Sequence, residues 1–484
     1  MLSKNIFIGV FAVASIAGCK KVDFGDYNFN PAPDRISKPQ TADLLTNAIW
    51  NSVGGLNLTA MEPNCYVQYV SQTQYPDISL YQTTQRSWAG YYATPLQDLA
   101  KIIELNTTSP EDPNVSGNGS ANNQIAIATI LKSFLFHMVT DQWGDVPFSQ
   151  ALNANKLPKY DLQSAIYPAL IADLKSASAK MDGGAAIKGD ILFGGNLASW
   201  KRFANSLRMV ISMRAVKANA TWAKTEFLAA FNDAAGHITT NAQNATFTFL
   251  ASGYQNPLNG EFGTRQDYGV SNTFVDLLKG LADPRIATMC TKPGADYKGV
   301  PYGLPRDASV AWFNANQDYS IPGVKITSAT AARTLISAAQ ILFLRAEAAA
   351  LGWIPANSAA DYYDAVKASM EWWGITNTTA INAYLASGSV SIGTAYGASS
   401  YTNIYLQKYI SLFMNGYESW AEWRRTGVPA LTPASGAVNV SKKIPRRVQY
   451  GSDEIGVNRV NYLAAVAGIP GGDDNHDAKV WWDK

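Results

Sequence analysis

The chain is 484 residues long and carries 39 Lys and Arg against 37 Asp and Glu, so its formal net charge is +2 and only 16% of it is charged. No field strong enough to gather a polyanion follows from that balance, which argues against nucleic acid as a partner. The length is too great for one ordinary core, yet no low-complexity linker divides it, and one large intertwined unit is expected.

Residues 1–18 read as a secretory signal of the lipoprotein kind. Lys4 gives a positive start, Ile6 to Ala14 is a short apolar run, and Ile16-Ala17-Gly18-Cys19 follows. The run is too short to span a bilayer. Small residues admit the peptidase, and the Cys19 thiol is the atom to be diacylated, its freed amine taking a further chain such as palmitate. Such chains tether a soluble body to a membrane leaflet. Residues 19–40 are polar and Pro-bearing, which suits a flexible tether, and an ordered body is expected over 41–484.

Helices are predicted at 41–50, 88–105 and 124–139, with a Gln-, Tyr- and Ser-rich loop over 69–86 and a Ser, Gly and Asn loop over 107–123. The segment TDQWGDVPFSQAL at 140–152 holds two carboxylates beside a Trp, a pattern that can serve glycosidases. Gly144 and Pro147 mark a turn, however, where Asp side chains bond local backbone N–H groups, and Asp141 and Asp145 are read as serving the loop. Helices follow at 162–180 and 197–218. Arg202, Arg208 and Arg214 of the second share a largely buried face and are expected to bridge helices or bond loop carbonyls.

A short strand is predicted at Ala245 to Leu250, and 251–270 and 291–333 read as long excursions rich in Gly, Pro, Tyr and Asn. Long loops in a compact domain are usually functional. Tyr254, Tyr268, Tyr297, Tyr302, Trp312, Phe313 and Tyr319 gather there outside any helical period. They are candidates for a binding platform, with packing of the loops onto themselves as the alternative.

From Thr334 the helical pattern returns. Ala338, Ile341, Leu342, Arg345, Ala346, Ala349 and Ala350 predict a narrow-faced helix ending at Gly352. Pro355 breaks the chain, Asn357 or Ser358 caps the next start, and Tyr362, Ala365, Val366, Ser369 and Met370 predict a second helix ending at Gly374. This antiparallel hairpin looks like a degenerate tetratricopeptide unit. It cannot bury both faces alone, so other helices must stack on it. A further helical run is predicted over 404–426, where Glu418 and Glu422 share a face; with Arg424 and Arg425 nearby a salt-bridged face is favoured over an acid and base pair. The tail closes on Trp481, Trp482, Asp483 and Lys484, and two exposed indoles would be costly, so it is expected to dock on the body.

His137, His237 and His476 form no metal-ligand spacing, and GDDNHD at 472–477 lacks the positional pattern of a calcium loop. No phosphate-cradling glycine loop, nucleophile elbow or Rossmann fingerprint is present, and no cofactor or metal is expected. Whether Cys65 and Cys290 pair is left open.

The lipobox at Cys19, DQWGDVPFSQAL at 141–152, FANSLRMVISMRA at 203–215, QILFLRAEAAALGW at 340–353, QKYISLFMNGYESWAEWRRTGVP at 407–429, IPRRVQYGSDEIGVN at 444–458 and KVWWDK at 479–484 together resemble the SusD/RagB family. The resemblance implies a mainly α lipoprotein of tetratricopeptide-like hairpins with long irregular loops and minor β, on the outer face of the outer membrane. It also implies a partner, a SusC-type TonB-dependent transporter, to which nutrient is handed inward. Asp23 and Asp26, soon after Cys19, look like the surface-export signals of such lipoproteins.

The expected function is non-catalytic capture of oligosaccharide or another nutrient for that transporter. Trp312 is the first-choice ligand residue, with Tyr319, Tyr75 and Tyr81 beside it where 69–86 and 297–319 are expected to meet. The alternatives are a helical glycosidase and a peptide-binding scaffold of the tetratricopeptide type.

Overall fold

The computed structural model describes residues 38–54, 59–82, 84–153, 157–264, 266–355, 359–397 and 399–484. Cys19, the signal, Asp23 and Asp26, the tether up to residue 37, and the caps Asn357 and Ser358 lie outside them. Gln40–Lys484 forms one compact unit. Its helices of nine or more residues are α1 Thr41–Gly54, α2 Gln97–Thr108, α3 Ala121–Trp143, α4 Gln163–Lys180, α5 Leu197–Arg214, α6 Ala220–Phe231, α7 Asn272–Gly280, α8 Arg306–Ala315, α9 Ala338–Ala350, α10 Ala360–Trp372, α11 Thr378–Ala386, α12 Ser400–Ser411, α13 Gly416–Thr426 and α14 Arg459–Gly468.

The starts of these helices follow from local chemistry. Ser120, Asn196, Asn219, Ser271, Ser337 and Asn377 each stand just before a helix and accept a hydrogen bond from the backbone N–H three residues on. Before α2 the chain is already helical from Ala89, through a π-turn at Tyr92–Leu96 around Pro95, which has no N–H to give. Gly352 and Gly374 take φ of 68° and 87° and end α9 and α10, the left-handed step that Cβ-bearing residues resist.

Helix α9 is buried almost all round, and this forces the stacking anticipated for the hairpin. Ile341, Leu344 and Ala348 join the main core. Ala339, Leu342, Phe343 and Ala346 face a second core with Tyr362, Val366 and Met370 of α10, Ile381 and Tyr384 of α11, and Ile404 of α12. The alanines let backbones approach on both sides.

Among the described residues, four two-stranded sheets tie segments together: β1 Val70–Gln72 with β6 Tyr268–Val270, β2 Gln85–Arg86 with β8 Gln449–Tyr450, β3 Val146–Pro147 with β4 Tyr160–Asp161, and β5 Ala245–Thr248 with β7 Ala332–Ile336. The β2–β8 pair is parallel, Gln85 opposite Gln449. Among the described residues no helix is long and apolar enough to cross a membrane.

Three expectations need correction. Thr334 belongs to strand β7 rather than to the helical hairpin, because Arg333 and Leu335 turn inward while Ala332 and Thr334 are half-buried, a period of two. The 404–426 run is two helices, broken at Leu412–Asn415 where Met414 takes φ of 65°. The 291–333 excursion contains α8. Cys65 and Cys290, left open by the sequence, are both free and buried.

The tail docks as its indoles require. Trp482 is fully buried and donates its Nε1 hydrogen to Asp141 Oδ1 at 2.9 Å, Asp483 accepts from Arg446 Nε at 2.7 Å, and Trp481 meets Tyr167 edge to face at 5.4 Å. Trp482→Ala is therefore expected to cost about 3–5 kcal/mol of stability, while Trp482→Phe, which removes the N–H and one ring but keeps an aromatic filling, costs less, about 1–3 kcal/mol. Urea unfolding midpoints of the two variants check both the size and the order.

Candidate functional site

Three of the carboxylates that could have formed an acid and base pair, Asp141, Glu418 and Glu422, are enclosed in one buried network. Arg214 of α5, wholly inside, pairs with Glu418 and Glu422 of α13 and lies 3.3 Å from Asp141 through Nε. Arg425 forms a two-pronged pair with Glu347 of α9 at 2.6 and 2.7 Å and reaches Glu422 at 2.7 Å, and Lys408 of α12 adds a further pair to Glu422 at 2.7 Å. Burial raises the Glu418 pKa even against Arg214. For Glu422 burial acts in the same direction, but Arg425, Lys408 and Arg214 together outweigh it and hold the carboxyl well below its usual range.

The salt-bridged reading of Glu418 and Glu422 thus holds for Arg425 and fails for Arg424. Arg424 donates to the carbonyl oxygens of Asp141 and Arg446, both at 2.8 Å, and stacks 3.7 Å over Trp420. Arg214, Lys408 and Glu347, the remaining partners, sit too far along the chain for spacing to reveal them. Asp141 also accepts from Tyr167 and Trp482. His137 Nε2 is 3.3 Å from Asp141, yet burial pulls that imidazole down to about 4, so it is neutral at pH 7. Asp145 accepts the Gln163 N–H at 2.7 Å and so fixes the start of α4. Asp145 thus bonds a backbone N–H, as its turn setting suggested, whereas Asp141 lies within α3 and its carboxylate serves the buried network and the docked tail instead of the turn.

The aromatic loops do meet. Ser309 Oγ of α8 donates to the Thr73 carbonyl at 2.8 Å, Ser71 Oγ donates to the Pro301 carbonyl at 3.1 Å, and Arg306 pairs with Asp77. Gln266 joins from a third segment, its carbonyl accepting from Thr73 Oγ1 at 3.2 Å and Tyr319 OH at 3.3 Å. On this junction Tyr75 is 48% exposed. Trp312 and Phe313 are half-buried and flank Tyr319 at 6.1 and 6.2 Å.

The four sequence candidates separate here. Trp312 lies on a helix rather than a loop, but α8 buries only Ser309, so it leaves no apolar period to read. Tyr319 is buried under Trp312 and pressed on β6, where a Cβ at Gly269 would stand 2.8 Å from its ring. Tyr81 is 1% exposed, against Tyr66 at 6.0 Å, and its hydroxyl accepts from Ala434 N at 3.1 Å. As placed, Tyr81 supports the loop from within and offers no open face. The amides of Asn316 and Gln317 cap the Trp312 and Phe313 carbonyls at 2.8 and 2.6 Å, which orders the end of α8.

A second concavity, a cleft of about 600 Å³, opens beside the docked tail, with Leu162, Asp145, Ile469, Lys479 and Trp481 on its walls. The 472–477 segment near it is occupied by the protein itself. Asp474 pairs with Arg447, and His476 meets Asn439 at 2.8 Å.

The order of these features along the chain decides its kinship. Residues 33–451 match the family described as SusD-like, starch-binding associating with outer membrane. The chain belongs to the SusD-like family. A solved chitin-binding protein is 26% identical to it, with 92% of this chain and 100% of that one covered at a TM-score of 0.79. A chitin-binding SusD homologue from Flavobacterium johnsoniae is 25% identical over 92% and 97% at 0.75. A SusD homologue from Bacteroides uniformis, 24% identical over 92% and 99% at 0.77, shares the fold. None of the curated proteins matches the chain. The SusD-like fold, mainly helical with tetratricopeptide-like hairpins, is thus the one the resemblance implied.

In this SusD-like chain Asp141→Asn removes one charge from a buried set of partners. A loss of about 3–5 kcal/mol is expected, because Arg214 then faces its surroundings with one anion fewer. Chemical denaturation measures the loss, and glycan affinity per folded molecule should stay unchanged.

Proposed function

We propose that this SusD-like protein captures oligosaccharide at the cell surface and delivers it to a SusC-type TonB-dependent transporter, held at the outer membrane by acyl chains on Cys19. The family match over residues 33–451 carries this reading, and the chitin-binding relatives at 26% and 25% identity support a glycan as the ligand. The binding face is the junction of 69–86 with α8. Sugar rings stack their C–H faces on Trp312 and Tyr75, with Tyr319 as the floor and Tyr81 as the internal support. Gln74 and Asn314, both exposed and close in sequence to those aromatics, would bond the hydroxyls. No residue is asked to move a proton, and the protein acts by binding rather than by catalysis.

Trp312→Ala should weaken affinity for chitohexaose or maltoheptaose about thirtyfold, the loss of roughly 2 kcal/mol typical of a central aromatic anchor, with little change in Tm. Tyr75→Ala should lose less. Isothermal titration with both sugars decides, and flat titrations for the unaltered protein together with sustained release of reducing ends would favour a glycosidase instead.

Cys19→Ala should fold normally yet leave the membrane fraction, since the acyl chains supply the affinity. Fractionation of cells lacking the transporter is the measurement. Full retention there would show that another element anchors the body.

A further inference from the structure

Most buried arginines of this protein have an acidic partner. Arg214 and Arg425 meet the glutamates described above, Arg285 donates from Nε to Asp283 at 2.9 Å, Arg208 meets Asp233 at 3.2 Å, and Arg447 pairs with Asp474. Arg424 has no ion pair among the described residues, and it spends its donors on carbonyl oxygens and its face on Trp420. Among the described residues, Arg333 of β7 has neither an acidic partner nor an aromatic face, and one carbonyl oxygen takes one of its donors.

Arg333 is 5% exposed, and among the described residues no carboxylate lies within ion-pair distance of it. Its Nη2 donates to the Ile326 carbonyl at 2.7 Å, and its Nε–H is buried without a partner. A guanidinium has five hydrogens to place, and removing it from water without a counter-charge is costly. Arg333 lines a cavity of about 60 Å³ between β7, the end of α10 and the 412–415 turn.

Two other donors on that cavity share the pattern. Lys325 is half-buried, its ammonium 4.4 Å over the ring of Trp372, and no ion pair satisfies it among the described residues. The Trp373 indole N–H is buried and unpartnered. Asn415 sits at the start of α13 without using its side chain as a cap. Gln340 Oε1, also buried without a donor, adds an acceptor suited to a hydroxyl. The lining includes two cations and no Asp or Glu. Burial alone pulls Arg333 down to about 9 and lowers Lys325 as well, the direction that a bound anion would reverse.

We propose that this cavity is a binding site for a compact oxyanion, a phosphate or a carboxylate, held by Arg333 and Lys325 with the Trp373 N–H and the Asn415 amide as further donors. The size sets the class. About 60 Å³ is the room of roughly two waters, enough for a phosphate or carboxylate group and too little for a sugar ring. The site lies apart from the Trp312 and Tyr75 face and does not depend on a glycan binding there. A planar or tetrahedral oxyanion can take the guanidinium edge two bonds at a time, which chloride cannot.

The test uses the mature chain and three salts, sodium phosphate, sodium acetate and sodium chloride, at matched ionic strength. Phosphate or acetate should raise Tm saturably by several degrees, chloride should not, and whichever oxyanion acts at lower concentration identifies the source. Lys325→Gln and Trp373→Phe should each weaken the midpoint about tenfold, and Arg333→Met should abolish the response. If Arg333→Met does not fold, the two other variants carry the test. No saturable rise in the unaltered protein, an equal rise with chloride, or midpoints unmoved by Lys325→Gln and Trp373→Phe would each overturn the proposal.

Discussion

Arg214 is the constraint around which the body is arranged. A guanidinium with no exposed surface must have its charge answered from several directions, and here the answers come from Asp141 on α3 and from Glu418 and Glu422 on α13. Glu422 takes further donors from Arg425 and Lys408, and through Arg425 comes Glu347 on α9. Removing one partner of a buried pair is far more damaging than the pair's net worth suggests. The network therefore fixes α3, α5, α9, α12 and α13 relative to one another with a specificity that apolar packing alone lacks.

With the helical frame so fixed, the irregular segments can be spent at its edge. Residues 69–86, 266–270 and 297–319 hold one another through the β1–β6 ladder, further backbone bonds, and side-chain bonds to backbone carbonyls such as Ser309 to Thr73 and Tyr319 to Gln266. That arrangement leaves Tyr75 and part of Trp312 at the surface. Loops positioned on a rigid scaffold are where binding residues ordinarily reside.

What the sequence disclosed follows the same division. The α9 and α10 hairpin, α3, α4 and the docked tail were legible because their apolar period or their indoles admit few placements. Helix α8 was not, because a surface helix that buries only Ser309 has no period to detect. Strand β7 was hidden by its continuity with α9. The Arg214 network was half legible: Glu418, Glu422 and Arg425 sit within one helical turn or two, while Arg214 lies 204 positions from Glu418. At the candidate site, aromatic content marked loops that do meet, yet only burial distinguishes Tyr81, inside the fold, from Tyr75, on its surface. Likewise nothing in the residues around Arg333 shows that its charge goes unanswered, since that is a property of what does not come near it.

The contact between Trp482 and Asp141 spans 341 positions, and β2 meets β8 across a comparable stretch. Until the segment that carries Trp482 reaches the body, the Asp141 carboxylate lacks its indole cover and β2 has no partner. Pairings at such sequence separation form slowly. Closure of this fold therefore waits on a pair of contacts that no local stretch of chain can make, however early the helices between them form.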